Sequence, residues 1–181
     1  ENVGSAASPT YAARTGSANP FDGIDVSYYS APAFADLDGD GDLDLVVGEE
    51  WGSLYYFENI GSATSPSYEA VTGAANPFGG IDAGAWSAPA LADLDGDGDL
   101  DLVVGEEDGV LNYYETVGSA ASPDYAPVTG AVSPFDGIDV GYLSTPALAD
   151  LDGDGDLDLV VGEDNGALNY YENVGSAASP S

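Results

Sequence analysis

The chain has 181 residues and a formal net charge of -32, because 33 acidic residues face a single cation, Arg14. Such a surface has nothing to replace phosphate counterions, which excludes nucleic acid and anionic membrane surfaces as partners. No apolar run approaches the roughly 20 residues of a membrane-spanning helix, so no membrane insertion is expected, and the absence of cysteine excludes disulfides and thiol chemistry.

In chain order, the opening ENVGSAASPT leads into Tyr11–Thr15, which reads as a strand, and then into a long loop containing NPFDGID. Pro32–Asp36 predicts a strand whose alternating Ala31, Ala33 and Ala35 suit a crowded position, and Pro32 places it at a sheet edge. An Asp-rich loop follows. Leu43–Gly48 predicts a second strand, with Leu43, Leu45 and Val47 facing one neighbour and Val46 the other. After the tight turn Glu49–Gly52, Ser53–Asn59 predicts a third strand and Ser67–Thr72 a fourth. The tyrosine pair Tyr55-Tyr56 in the third strand, with Tyr113-Tyr114 and Tyr170-Tyr171 later, reads as packing.

The order then repeats. The phrase ADLDGDGDLDLVVGE has its first aspartate at Asp36, Asp93 and Asp150, so one unit is written three times. The units are residues 1–57, 58–114 and 115–171. Residues 172–181 (ENVGSAASPS) start a further one, and the chain reads as a segment of a longer array. With short apolar stretches between Gly, Pro, Ser and Asp turns and no 3.6-residue stripe, the class is all-β. A four-stranded unit that is apolar on both faces is what a β-propeller blade requires, so three such blades are expected.

The Asp-rich loop alternates carboxylates at Asp36, Asp38, Asp40, Asp42 and Asp44 around Gly39 and Gly41. The equivalent sets are Asp93, Asp95, Asp97, Asp99 and Asp101, and Asp150, Asp152, Asp154, Asp156 and Asp158. Alternation aims successive carboxylates inward while glycine permits the sharp turn, which suits calcium with its roughly 6 to 8 oxygen ligands. Magnesium demands a stricter octahedron, and transition metals lack their His and Cys ligands here. An EF-hand shares the opening D-x-D-x-D-G but needs Glu at the twelfth position, where this chain has Val47. Three calcium ions are expected, one per repeat.

These residues resemble the FG-GAP and VCBS-type repeats of integrin α-subunit heads and bacterial surface proteins. The resemblance rests on DxDxDGxxD followed by a short apolar strand, met by DLDGDGDLDLVV in every copy, with the Phe-Gly and Gly-Ala-Pro landmarks approximated by NPFDGID and by SAP at Ser30–Pro32. It implies calcium ligation by the side chains of Asp36, Asp38, Asp40 and Asp44, with the Asp42 carbonyl filling a further position. It also implies a module of a structural or adhesive protein, extracellular or at the cell surface.

Aromatic residues vary between units and are expected on the face opposite the Asp loops: Tyr28, Tyr29, Trp51, Trp86 and Tyr142. They either engage a glycan or a cell-surface protein, or pack the long loop down. A carbohydrate-binding propeller lectin is the alternative function. Phe21, Phe78 and Phe135 are expected to pin the long loop to the blade edge, and Asp25, Asp82 and Asp139 to cap its turn or form a second ion site. With no His, Cys or Lys as base or nucleophile, the chain reads as a non-enzyme.

Three blades cannot close a ring that uses about 4 to 8. Self-association is therefore expected, with each chain's Tyr11 strand beside a neighbour's Leu168 strand. A homodimer with six blades is favoured over a trimer or a head-to-tail polymer.

Overall fold

The computed structural model describes residues 1–119, 122–176 and 180. Among these, the only helices are single 3-10 turns at Gly16–Ala18, Gly73–Ala75 and Gly130–Val132. None is long and apolar enough to cross a membrane. The strands are β1 (Ala31–Ala35), β2 (Asp44–Gly48), β3 (Leu54–Asn59) and β4 (Tyr68–Val71); β5 (Ala88–Ala92), β6 (Asp101–Gly105), β7 (Leu111–Thr116) and β8 (Tyr125–Val128); and β9 (Thr145–Ala149), β10 (Asp158–Gly162) and β11 (Leu168–Tyr171). The further repeat expected from residue 172 lies partly outside the described residues, at 177–179 and 181.

Each unit folds as an antiparallel meander, ordered β1-β2-β3-β4, β5-β6-β7-β8 and β9-β10-β11. Each four-stranded sheet takes its last strand from the following repeat. In the first sheet Ala35 pairs with Asp44 and Ala31 with Gly48, then Leu45 with Phe57 and Asn59 with Tyr68. The same register recurs in the second sheet. Proline at Pro32, Pro89 and Pro146 is tolerated because β1, β5 and β9 are sheet edges with no ladder partner on one side. These three edge strands are also neighbours, β1 against β5 and β5 against β9, so the sheets fan out from a common line of alanine-rich strands. The sheets do not close into a ring.

Packing between sheets follows the two-residue alternation of a strand. Val46 of β2, with Leu54 and Tyr56 of β3, faces the second sheet, where Leu102 and Val104 meet it. Val103, Leu111 and Tyr113 face the third sheet and meet Leu159 and Val161. Leu45 and Val47 face the other way, onto Val26, Phe57 and the Phe21 loop. Val46, Leu102, Val103, Val104 and Val161 are fully buried, each contributing about 1.5–3 kcal/mol by leaving water. Two expectations are corrected. Leu43 precedes β2 and is exposed, because the loop is still turning there. Phe78 and Phe135 are buried between sheets rather than at a blade edge, Phe78 stacking on Tyr125 at 4.9 Å and Phe135 meeting Tyr113 edge-on.

At the opposite end from the Asp loops a serine ties neighbouring sheets together. Ser87 Oγ accepts the Glu49 amide at 3.0 Å and donates to the Glu49 carbonyl at 3.2 Å. Ser144 repeats this on Glu106, at 2.8 and 3.3 Å. This approach needs a glycine. A methyl group on Gly105 would lie 2.1 Å from the Ser144 carbonyl oxygen and 2.8 Å from Pro146 Cδ. Gly105→Ala is therefore expected to destabilise the fold by about 3 kcal/mol through overpacking, whereas Gly80→Ala, with open space around it, should change stability by less than about 0.5 kcal/mol. Urea unfolding of the two variants checks this.

Candidate metal centre

Each Asp loop is the connection from an inner strand to its neighbour, β1 to β2, β5 to β6 and β9 to β10. The loops share one hydrogen-bonding pattern. Asp36 Oδ1 and Oδ2 accept the amides of Gly39 (2.9 Å) and Gly41 (3.0 Å), Asp38 Oδ1 accepts the Asp40 amide, and Asp40 Oδ1 accepts the Asp42 amide. The set on Asp93, Asp95 and Asp97 is equivalent, as is the set on Asp150, Asp152 and Asp154. Gly39 and Gly41 have φ of 75° and 95°, a region costly for a residue with a Cβ.

This winding brings carboxylates together. One oxygen each from Asp36, Asp38 and Asp40 lies within 4.8 Å of the others, and the same holds for Asp93, Asp95 and Asp97 and for Asp150, Asp152 and Asp154. Asp42 is buried with its Oδ1 lacking any hydrogen-bond partner. Its carboxyl is held above the usual aspartate range by that burial and by the charges of Asp40, Asp44, Asp38 and Asp36. The donor set is oxygen only and anionic, with an unmet buried oxygen beside it. These features fit a hard divalent cation and leave no place for a soft one.

The last aspartate of each loop has a second task. Asp44 is buried at the start of β2, where Oδ2 accepts the Leu37 amide (3.0 Å) and the Tyr56 hydroxyl (3.2 Å), while Oδ1 accepts the Asn59 amide (2.8 Å). Asp101 accepts from Leu94, Tyr113 and Thr116 in the same way. Asp158 accepts the amides of Leu151 and Asn173. This carboxylate ties the loop to β2 and to the end of β3. Burial pushes the Asp44 and Asp101 carboxyls upward despite those donors, whereas at Asp158 the Asn173 amide prevails and the carboxyl is lowered.

The remaining candidates sit at the other end of the sheets. Tyr28, Tyr29, Trp51 and Tyr142 are exposed and Trp86 is half-buried. Tyr29 and Trp86 are brought together, with ring centroids 3.8 Å apart, and the Tyr142 hydroxyl donates to Glu107 at 3.0 Å. Tyr29, Trp86 and Leu143 occupy one repeat position and all have φ between 54° and 62°. Asp25, Asp82 and Asp139 cap turns by accepting the amides of Ser27, Gly84 and Gly141.

Residues 36–104 match the FG-GAP-like repeat family and residues 142–178 match the FG-GAP repeat family, together more than half of the chain. This is an FG-GAP repeat protein. No curated protein is significantly similar to it. The FG-GAP matches begin at the first Asp loop and take in the third, so the family assignment and the carboxylate clusters fall on the same segments. The FG-GAP unit here also contains what strand patterning missed: the Ser87 and Ser144 ties and the structural use of Asp44. The signal for Asp44 was its place between Leu43 and Leu45, inside the apolar run; for the serines it was their recurrence just before each inner strand.

Proposed function

We propose that this chain is a calcium-binding propeller module of an extracellular structural or adhesive protein, non-enzymatic, holding one ion in each of its three repeats and associating head to tail with copies of itself. The observation that carries the calcium assignment is the threefold gathering of carboxylate oxygens beside a buried, unpartnered Asp42 Oδ1 in the first copy. In the first repeat Asp36, Asp38 and Asp40 would hold the ion, with Asp42 and Asp44 completing the set, and the ion would supply the positive charge that a chain with one arginine lacks. Asp44 positions the loop by binding the amides on either side of it.

The chain's chemistry supports an outward role as well. FG-GAP repeats typically occur in extracellular proteins, and a calcium-rich, salty medium screens a charge of -32. Isothermal titration of calcium into chelator-stripped protein should return three ions per chain. A stoichiometry near zero sinks the calcium assignment.

A further inference from the structure

We infer that the N-terminal strand of a second copy of this chain completes the third sheet, with Tyr11 of that copy seated on Phe135. The inference rests on the self-association proposed above and names its contact.

The internal repeats show what the seat is for. In the loop before β1, Phe21 stacks on Tyr68 of β4 at 4.9 Å; in the loop before β5, Phe78 stacks on Tyr125 of β8, also at 4.9 Å. The two tyrosine hydroxyls donate to equivalent carbonyls, Tyr68 to Leu43 at 3.0 Å and Tyr125 to Leu100 at 3.1 Å. Phe135 and the Leu157 carbonyl are the third pair of this kind. In place of a tyrosine they border an open cavity, lined also by Ile138, Leu159 and Tyr171, beside the edge strand β11.

Tyr11 occupies the repeat position of Tyr68 and Tyr125 and is exposed. Its segment already has the pairing of a fourth strand. The Val3 amide donates to the Thr10 carbonyl at 2.7 Å, as Ile60 does to Ser67 and Val117 to Asp124. Asn2 Oδ1 accepts the amides of Gly4 and Thr10, as Asn59 Oδ1 accepts those of Gly61 and Ser67. Glu172-Asn173-Val174 has the same sequence as Glu1-Asn2-Val3 and continues directly from β11. A partner's Tyr11 strand can therefore exchange Glu1–Val3 of its own chain for residues 172–174 of this one, with like groups meeting like partners.

The adjoining sheet faces match in the same sense. Leu54 and Leu111 are 4% and 8% exposed against the next sheet, whereas Leu168, their equivalent, is 76% exposed. Tyr56 and Tyr113 are each 7% exposed, but Tyr170 is 51% exposed. The face that would receive them is on the first sheet, where Phe21, Val26, Phe34, Leu45 and Val47 line an open groove of about 400 Å³. It occupies the position at which the second and third sheets receive their neighbours. One contact thus buries both uncovered faces, and two copies joined twice give a ring of six sheets.

The test is light scattering after size exclusion of the 181-residue chain in calcium, across a range of concentrations, with circular dichroism as the check on folding. The wild-type chain should associate. Tyr11→Ala, a change at an exposed site, should leave the fold intact and raise the dissociation concentration at least about tenfold, while Tyr28→Ala should leave it unchanged. A wild-type chain that stays monomeric at high micromolar concentration overturns both this inference and the self-association. Association that Tyr11→Ala leaves unaltered, or that Tyr28→Ala weakens equally, overturns the seat alone.

Discussion

Removing calcium should lower the melting temperature of this chain by roughly 15–30 °C. Each loop's carboxylates converge only when an inner strand and its neighbour are paired, so the ion binds the folded state and not the unfolded one. At about a hundredfold excess over its dissociation constant, one site contributes about 2.7 kcal/mol. Three sites then give about 8 kcal/mol, and for a chain of this length each kcal/mol moves the melting temperature by about 2–4 °C. Calorimetric scans with calcium and with chelator check the size of the shift, and superimposable scans would refute it. The two states should also respond oppositely to acid. Burial holds Asp44 and Asp101 above their ordinary value of 3.8, so their folded forms take up protons before the unfolded chain does. Metal-free stability should therefore rise as pH falls from 7 toward 3.8. Asp158, lowered by the Asn173 amide, loses its contribution only around and below that value. With calcium present protons compete with the ion, and the melting temperature should fall over the same range.

Asp101→Ala should destabilise the protein by about 3 kcal/mol whether or not calcium is present. The substitution strips acceptors from the amides of Leu94 and Thr116 and from the Tyr113 hydroxyl, all beside a fully buried strand. A buried donor left unsatisfied costs about 1–3 kcal/mol, part of which is offset by removing a buried charge. Asp97→Ala is the contrast. Its carboxylate is exposed and accepts only the Asp99 amide, so in chelator the change should be within about 0.5 kcal/mol. In calcium it should abolish one site of three. Equal losses for the two variants in chelator would show that the fifth aspartate has no separate structural task.

The strand pattern was legible from sequence because the turns are. Every strand of the first unit ends within one residue of its expected position, flanked by Asp, Gly or Pro that cannot continue a ladder. Alternation also gave the opposed faces of Leu45 and Val46. It could not give Phe78 or Ser87, since a two-residue period describes one sheet and these side chains act between two. The carboxylate clusters were readable for the opposite reason: Asp36, Asp38 and Asp40 lie in one short loop, where spacing fixes geometry. Asp44 belongs to the same motif by spacing, yet its neighbours in space are the amides of Leu37 and Asn59. The second of those lies at the far end of β3, beyond what a loop motif describes.

The recurrence of one register in successive sheets creates an ambiguity during folding. β1 has the same complement in β2 as in β6, since Asp44–Gly48 and Asp101–Gly105 have the same sequence. Contact energy alone does not choose between them. What separates the correct partner from its duplicate is chain connectivity, because closing the loop from Ala35 to Asp44 rather than from Ala35 to Asp101 is favoured by about 2 kcal/mol. That margin is small for a duplicated chain, and an ion captured by the short loop would lock the local choice before a distant strand arrives. Calcium would then act as an editor of strand pairing, and its absence during refolding would leave chains with units joined out of order.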